Sequence, residues 1–404
     1  MESVNSMSQH ADSIAAYQSL HNIAVQCNPH LGMELLTILK GASPGAGGAT
    51  ILAAEIADEP VIIKAFPVDC PIKYLRGVPR KNTTIRDYGD YEPGTGLMLT
   101  EQFILSSLTQ NITTCYSLSI CDYAYNSDIS MCTRKSIPKQ ISYPVPSQQD
   151  CASGTFHPLC PMSSIYHAPT MAGYFETPQL DDTMRFFMTE RCSGDIQGLI
   201  QSYAGKITEA FVRTLYLMCL MIFHCLLLLD SMLDGYTHKD LGARNVLYTW
   251  DPHLNPNTYW RYNFPSENST LSIDIPTTTL IPKIWDFAFV RFGRAHEYAS
   301  YYTYLNPTTV PDLNVLDELR ENDVFVLLSD IDVMLRDAGV TGSQFNTLDL
   351  ISIRGFRNNT AAIYEFLNQC PIPEAILANP NHTIIHDFPT ITNVRLDREV
   401  TRNL

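Results

Sequence analysis

Positive charge is what this sequence has least of. Its 27 lysines and arginines stand against 42 aspartates and glutamates, a formal net charge of −15 at pH 7. That balance excludes broad electrostatic binding, so neither nucleic acid nor an anionic membrane is expected as a partner. The opening residues, MESVNSMSQHADS, hold no basic segment followed by an apolar one, and no secretory signal is expected. No internal repeat and no low-complexity tract is present. A metal finger is also missing: Cys151 and Cys160 flank His157, but CASGTFHPLC has no zinc-finger spacing. The 11 cysteines are odd in number and scattered, which fits reduced thiols and an intracellular location, cytoplasm or nucleus. Sequons such as Asn111-Ile112-Thr113 carry little weight without a secretory signal.

What is present reads as globular. Hydrophobic residues make up 45% of the chain and charged ones 17%, a balance that can close a core. With 404 residues, two lobes or domains are expected. The run LYLMCLMIFHCLLLLDSML (215–233) is long enough to raise the question of a membrane span. His224 in its middle and Asp230 near its end shorten the uninterrupted apolar stretch below what a bilayer needs. It reads as a helix buried on all sides, spanning 207–234, with no transmembrane segment.

Along the chain, 1–30 reads as a weakly patterned helical extension. LLTILKGASPGAGGATILAAEIADEPVIIKAF reads as a strand, a glycine-rich turn, a second strand, a turn at Asp58-Glu59-Pro60 and a third strand ending near Phe66. Residues 67–95 read as a polar insertion carrying Lys73, Arg76, Arg80, Lys81 and Arg86, a basic island in an acidic protein. A helix is expected over 97–109, where Phe103, Ile104, Leu105 and Leu108 share a face. Short strands and a long insertion fill 112–185, and FFMTE (186–190) is a strand. NVLYTW and LIPKIWDFAFV are further strands, 251–278 is loop-like, and 313–370 is mostly helical.

The chemistry-bearing residues fall at the ends of these elements. THKDLGARNVLY (237–248) follows the apolar helix and sets His238, Asp240, Arg244 and Asn245 in one loop before a strand. Trp285-Asp286-Phe287-Ala288 ends a later strand, and Val61-Ile62-Ile63-Lys64 ends an earlier one. In this order the segments resemble the protein-kinase superfamily, over roughly 39–335. His238-Lys239-Asp240 with Asn245 resembles H-R-D-x-x-x-x-N, Asp286-Phe287-Ala288 resembles D-F-G, and the Lys64 strand resembles V-A-I-K.

The resemblance implies an α+β, bilobal kinase-like fold. A small antiparallel β-sheet lobe with one helix would precede a larger, mainly helical lobe. The implied division is an extension over 1–30, a small lobe over 31–191 with insertions 67–95 and 112–185, and a large lobe over 192–404 with insertion 249–278. It implies ATP and Mg²⁺ as cofactors and a protein hydroxyl as acceptor. Asp240 would be the catalytic base beside Arg244, with Asn245 and Asp286 as metal ligands. Lys64 would reach the phosphates and pair with Glu101, with an exposed helix-start glutamate as the alternative reading of Glu101. Gly41, Gly45 and Gly47 would bring backbone amides to phosphate, although the spacing is not G-x-G-x-x-G. Thr189 would stand at the back of the nucleotide pocket, with Glu190 and Cys192 presenting backbone to adenine and Asp195 reaching the ribose. Asp323 resembles the aspartate that anchors the catalytic loop.

The chain departs from the family at several points. Lys239 stands where arginine is usual and cannot make a bidentate phosphate contact. Ala288 replaces the hinge glycine, and no A-P-E motif lies between Asp286 and Asp323. Gly242 takes the place of the Ser/Thr-kinase lysine, while Arg244 resembles the tyrosine-kinase form of the loop. The long insertions resemble divergent kinases encoded by large DNA viruses. A pseudokinase scaffold and a small-molecule phosphotransferase of aminoglycoside-kinase type are the alternative functions. The basic island at 73–86 is either a solvated loop or a dock for an acidic partner.

Overall fold

The computed structural model describes residues 17, 18, 20, 36–44, 50–56, 59–67, 74–75, 78–79, 91–122, 183–250, 255, 257–265, 270–293, 322–340, 345, 348–370 and 372–389. Within them the protein is a mixed α+β molecule with small antiparallel sheets and several helices. Gly45, Gly47, the five basic residues of the 73–86 island, and Cys151, His157 and Cys160 lie outside the described residues.

Strands β1 (Leu36–Pro44), β2 (Thr50–Ile56) and β3 (Glu59–Pro67) form an antiparallel meander, as the alternating runs and turns predict. β-Branched Val61, Ile62 and Ile63 favour the extended chain, with Val61 and Ile63 buried and Lys64 on the alternate face. A short pair, β4 (Tyr74–Leu75) and β5 (Val78–Pro79), follows. Helix α1 (Tyr91–Leu99) then continues into a π-turn at Thr100–Ile104. β6 (Cys115–Asp122) and β7 (Thr183–Glu190) complete a five-stranded sheet in the order β1-β2-β3-β7-β6.

The helix was expected over 97–109, and residues up to 95 as polar insertion. It starts instead at Tyr91, with Glu92, Thr95, Leu97, Met98 and Leu99 buried. Pro93 lies in the first turn, where a missing N–H costs nothing. Gly96 sits where an added Cβ would come within 2.6 Å of Cys115 Sγ and 3.2 Å of Phe287 Cδ2. Close packing therefore overrides the poor helix propensity of E-P-G-T-G.

β8 (Gly194–Asp195) leads into α2 (Ile196–Ser202), and then α3 (Glu209–Leu233) runs through the core. α3 is apolar and long enough to cross a membrane, yet 89% of its most apolar 18-residue window is buried inside the protein. It is a core helix. Thr208 caps its start by accepting from the Phe211 amide, and Asp234 ends it in the left-handed region at φ 59°. β9 (Val246–Thr249) pairs with β12 (Ile281–Ile284) and with β8. Helices α4 (Asp323–Asp337), α5 (Leu350–Arg354) and α6 (Asn359–Gln369) close the helical layer, and Phe366 of α6 meets Phe223 of α3 edge-on.

The segment read as loop-like, 251–278, is different. β10 (Thr258–Pro265) and β11 (Thr270–Pro276) form a hairpin in it, and β13 (Thr383–Phe388) joins β10 in parallel from near the C-terminus. The strand pattern was obscured because polar residues of this sheet face one another. Arg261 makes a fork to Asp274, and Asn263 bonds Ser272, Asp387 and Phe388.

Candidate functional site

The loop after α3 is held from beneath by one buried carboxylate. Asp323, at the start of α4, accepts the His238 amide on Oδ2 at 2.7 Å and the Lys239 amide on Oδ1 at 2.8 Å. Asn359 of α6 holds Asp323 in turn, donating to Oδ2 at 2.7 Å and accepting the Asp323 amide at 2.9 Å. These bonds keep Lys239 at φ 66°, a conformation a lysine does not adopt unaided. His238 Nε2 donates to the Trp285 carbonyl at 2.8 Å, tying the loop to the end of β12.

The next turn sets Asp240 and Asn245 together. Asn245 Nδ2 donates to the Asp240 carbonyl at 2.7 Å, which leaves the amide oxygen as its remaining polar atom. The Ala243 amide donates to Asp330 of α4 at 3.1 Å. Gly242 allows this, since a Cβ there would lie 2.7 Å from Asp330 Oδ2. Arg244 is largely exposed and reaches the Asp240 carboxylate at 3.5 Å.

Asp286 follows β12 at φ 67°, and the amide of Trp285 before it donates to the Asn245 carbonyl at 3.0 Å. Lys64 of β3 reaches the same place. Its Nζ is 3.4 Å from Asp286 Oδ1 and lies 2.6 and 2.8 Å from the two oxygens of Glu92. Burial pulls the lysine down, but the charges of Asp286 and Glu92 outweigh it and hold Lys64 above the usual lysine range. Burial pushes Glu92 up to about 7 against the pull of Lys64. Burial also acts to raise Asp286, but Lys64 and His238 together hold it below the usual carboxylate range.

The expected partner of Lys64, Glu101, is therefore corrected to Glu92. Glu101 lies in the π-turn and accepts the Tyr17 hydroxyl at 2.9 Å. Nothing in the sequence marks Glu92 except an acid ahead of a Pro-Gly pair, which reads as a turn.

The segment after β7 has its own ion pair. Glu190 takes Lys283 Nζ at 2.7 and 2.9 Å and the Thr114 amide at 2.6 Å, while its own amide donates to the Thr114 carbonyl. Cys192 is half-buried, and burial raises its thiol. Asp195 caps α2 through the Gly198 amide at 2.7 Å. Thr189 is buried. Gly41 lies in β1 within the register shift between Lys40 and Ser43. Asn111, the sequon asparagine, is buried and donates to the Pro282 carbonyl. Lys283, Asp330 and Asn359 were not singled out from sequence, because their roles depend on partners far along the chain.

Lys64, Glu92 and Asp286 thus meet at one place. Asp240 and Asn245 stand next to it through the Trp285–Asn245 bond. No protein-family model and no curated protein matches the chain.

Proposed function

We propose that this chain is a divergent ATP-dependent protein kinase, with the two-lobed fold that its motifs imply. The observation that carries the reading is the approach of Lys64 Nζ to Asp286 across 222 residues of chain, with Glu92 on the same nitrogen. A lysine shared by two carboxylates is a poor way to stabilise a fold and a good way to meet a polyphosphate. In this reading the five-stranded sheet and α1 form the small lobe, α2 to α6 the large one, and residues 190–195 the hinge.

Asp240 takes the proton from the acceptor hydroxyl as its oxygen bonds to the γ-phosphorus. The bond from that phosphorus to the bridging oxygen breaks, and ADP leaves. Lys64, steered by Glu92, neutralises the α- and β-phosphates. Asn245 Oδ1 and the Asp286 carboxylate are hard oxygen donors, the right chemistry for Mg²⁺. Among the described residues no three His, Cys, Asp or Glu side chains gather for a metal. Asn245 and Asp286 would hold such an ion, and a site with so few protein ligands suits Mg²⁺. When bound it draws charge off the phosphates.

The test is phosphate transfer from ATP with Mg²⁺ to peptide hydroxyls, set against small alcohols and amines. The wild type should label peptides, and Asp240→Asn should lower the rate by about 10²–10⁴. Labelling of small acceptors alone would make it a small-molecule phosphotransferase. No transfer, with a melting temperature raised by ATP–Mg²⁺, would make it a nucleotide-binding scaffold.

A further inference from the structure

The sheet β11-β10-β13 has no part in the site so far described, yet it touches the segment that joins the site's two halves. That segment, 105–113, follows α1 and its π-turn. Ser107 there lies at φ 58°, in the left-handed region that serine disfavours, so its surroundings must hold it. His386 of β13 is part of that hold, since its Nε2 donates to the Ser107 carbonyl at 3.1 Å. Tyr262 of β10 provides more: its hydroxyl accepts from Gln110 Nε2 at 3.0 Å and donates to Asn111 Oδ1 at 3.2 Å.

The other side of the segment is stitched to β12. The Ile284 amide donates to the Asn111 carbonyl at 2.9 Å, and the Thr113 amide to the Ile284 carbonyl at 3.0 Å. Asn111 Nδ2 adds its bond to the Pro282 carbonyl at 2.9 Å. One end of the segment therefore leads back to α1 and Glu92. Its other side is fastened to the strand that ends at Asp286. The sheet is anchored independently of both, because Tyr262, Phe264 and Phe388 pack around His224 in the middle of α3.

We propose that Tyr262 and His386 are positioning residues: the sheet made from the 258–276 hairpin and the 383–388 strand clamps the connection 105–113 and thereby sets Glu92 against Lys64. The clamp is built from residues of the chain itself. The kinetic part of its test rests on the kinase reading, and the exchange part does not.

The experiment is amide hydrogen exchange of the full-length protein, followed by mass spectrometry, on the wild type, Tyr262→Phe, His386→Ala and the double variant. In the double variant, peptides covering 91–113 should exchange about tenfold faster, with 323–337 unchanged. His386→Gln, whose amide nitrogen takes the place of Nε2, should restore most of the protection lost in His386→Ala. Tyr216→Phe removes a hydroxyl bond from α3 to the Cys370 carbonyl and serves as the control for lost stability. It should leave 91–113 as in the wild type.

With ATP and peptide, the double variant should lose about tenfold in kcat while its KM for ATP stays within about twofold, the outcome when ATP binds both positions of α1 equally and only the one with the Lys64–Glu92 pair transfers phosphate. Wild-type protection over 91–113 in the variants, whatever their melting temperature, would overturn the proposal. So would equal acceleration in the Tyr216→Phe control. Should the double variant not fold, the single variants decide by the same readout. Should the wild type transfer no phosphate, the kinase reading fails and the exchange result still decides the clamp.

Discussion

Two charged clusters in this protein are built on opposite plans. In the β10–β11 sheet, Asp274 is fully buried and saturated: Arg261 forks onto both oxygens at 2.7 and 2.9 Å, and Oδ2 also takes His382 Nδ1 and the Asn379 amide, each at 2.9 Å. Around Lys64 the proportion is reversed, with one ammonium facing the carboxylates of Glu92 and Asp286. A saturated cluster has nothing left to offer a ligand and holds two segments of chain together. The second cluster has more carboxylates than cations, and on the proposed function a cation would join it. Burial does not distinguish the two clusters, since both are largely buried, whereas the balance of charge does.

The largest expected effects break this contrast directly. Asp286→Asn should lower phosphate transfer at least about thousandfold and leave thermal stability unchanged or higher, because Lys64 keeps Glu92. Asp274→Asn should cost about 3 kcal/mol in denaturant unfolding, as it leaves Arg261 half-paired. Equal loss of stability in the two variants would erase the distinction.

Burial without a compensating charge can be tested at His224. Desolvation within α3 lowers its pKa from 6.5 to about 4, partly offset by its bond to the Pro389 carbonyl. The folded protein keeps the imidazole neutral in that interval while the unfolded chain protonates it. Stability is then full above pH 6.5 and falls as the pH drops towards 4, by at most about 3 kcal/mol. Urea midpoints across that range should show the slope, and His224→Leu should flatten it.

Next in size is the choice between the two glutamates of the α1 region. Glu92→Gln should reduce transfer about a hundredfold by releasing Lys64, and Glu101→Gln by less than about threefold. The reverse order would restore Glu101 as the partner. Gly96→Ala should be the mildest, costing about 1–3 kcal/mol as α1 is pushed from Cys115 and Phe287. A fall in transfer beyond its loss of stability would show that the spacing of α1 tunes the Lys64–Glu92 pair.

The sequence by itself determined whatever is written in local pattern. The apolar helix 209–233, the β3 strand carrying Lys64, and the loop carrying Asp240 and Asn245 were legible because periodicity and turn residues act over a few positions. Only the tertiary structure decided between Glu92 and Glu101. E-P-G-T-G has turn propensity, and the close packing of Gly96 against Cys115 and Phe287 makes it helix. Only the tertiary structure, too, turned a polar stretch at 258–276 into a hairpin and drew 383–388 alongside it. The hairpin strands pair with each other, but β13 and Asn379 reach them from more than a hundred residues away, and the polar residues satisfy one another across the sheet. Asn359 behind Asp323 is of the same kind, a hydrogen bond with no trace in either local sequence. Short-range pattern encodes elements, and the pairing of buried charges is settled only when distant elements meet.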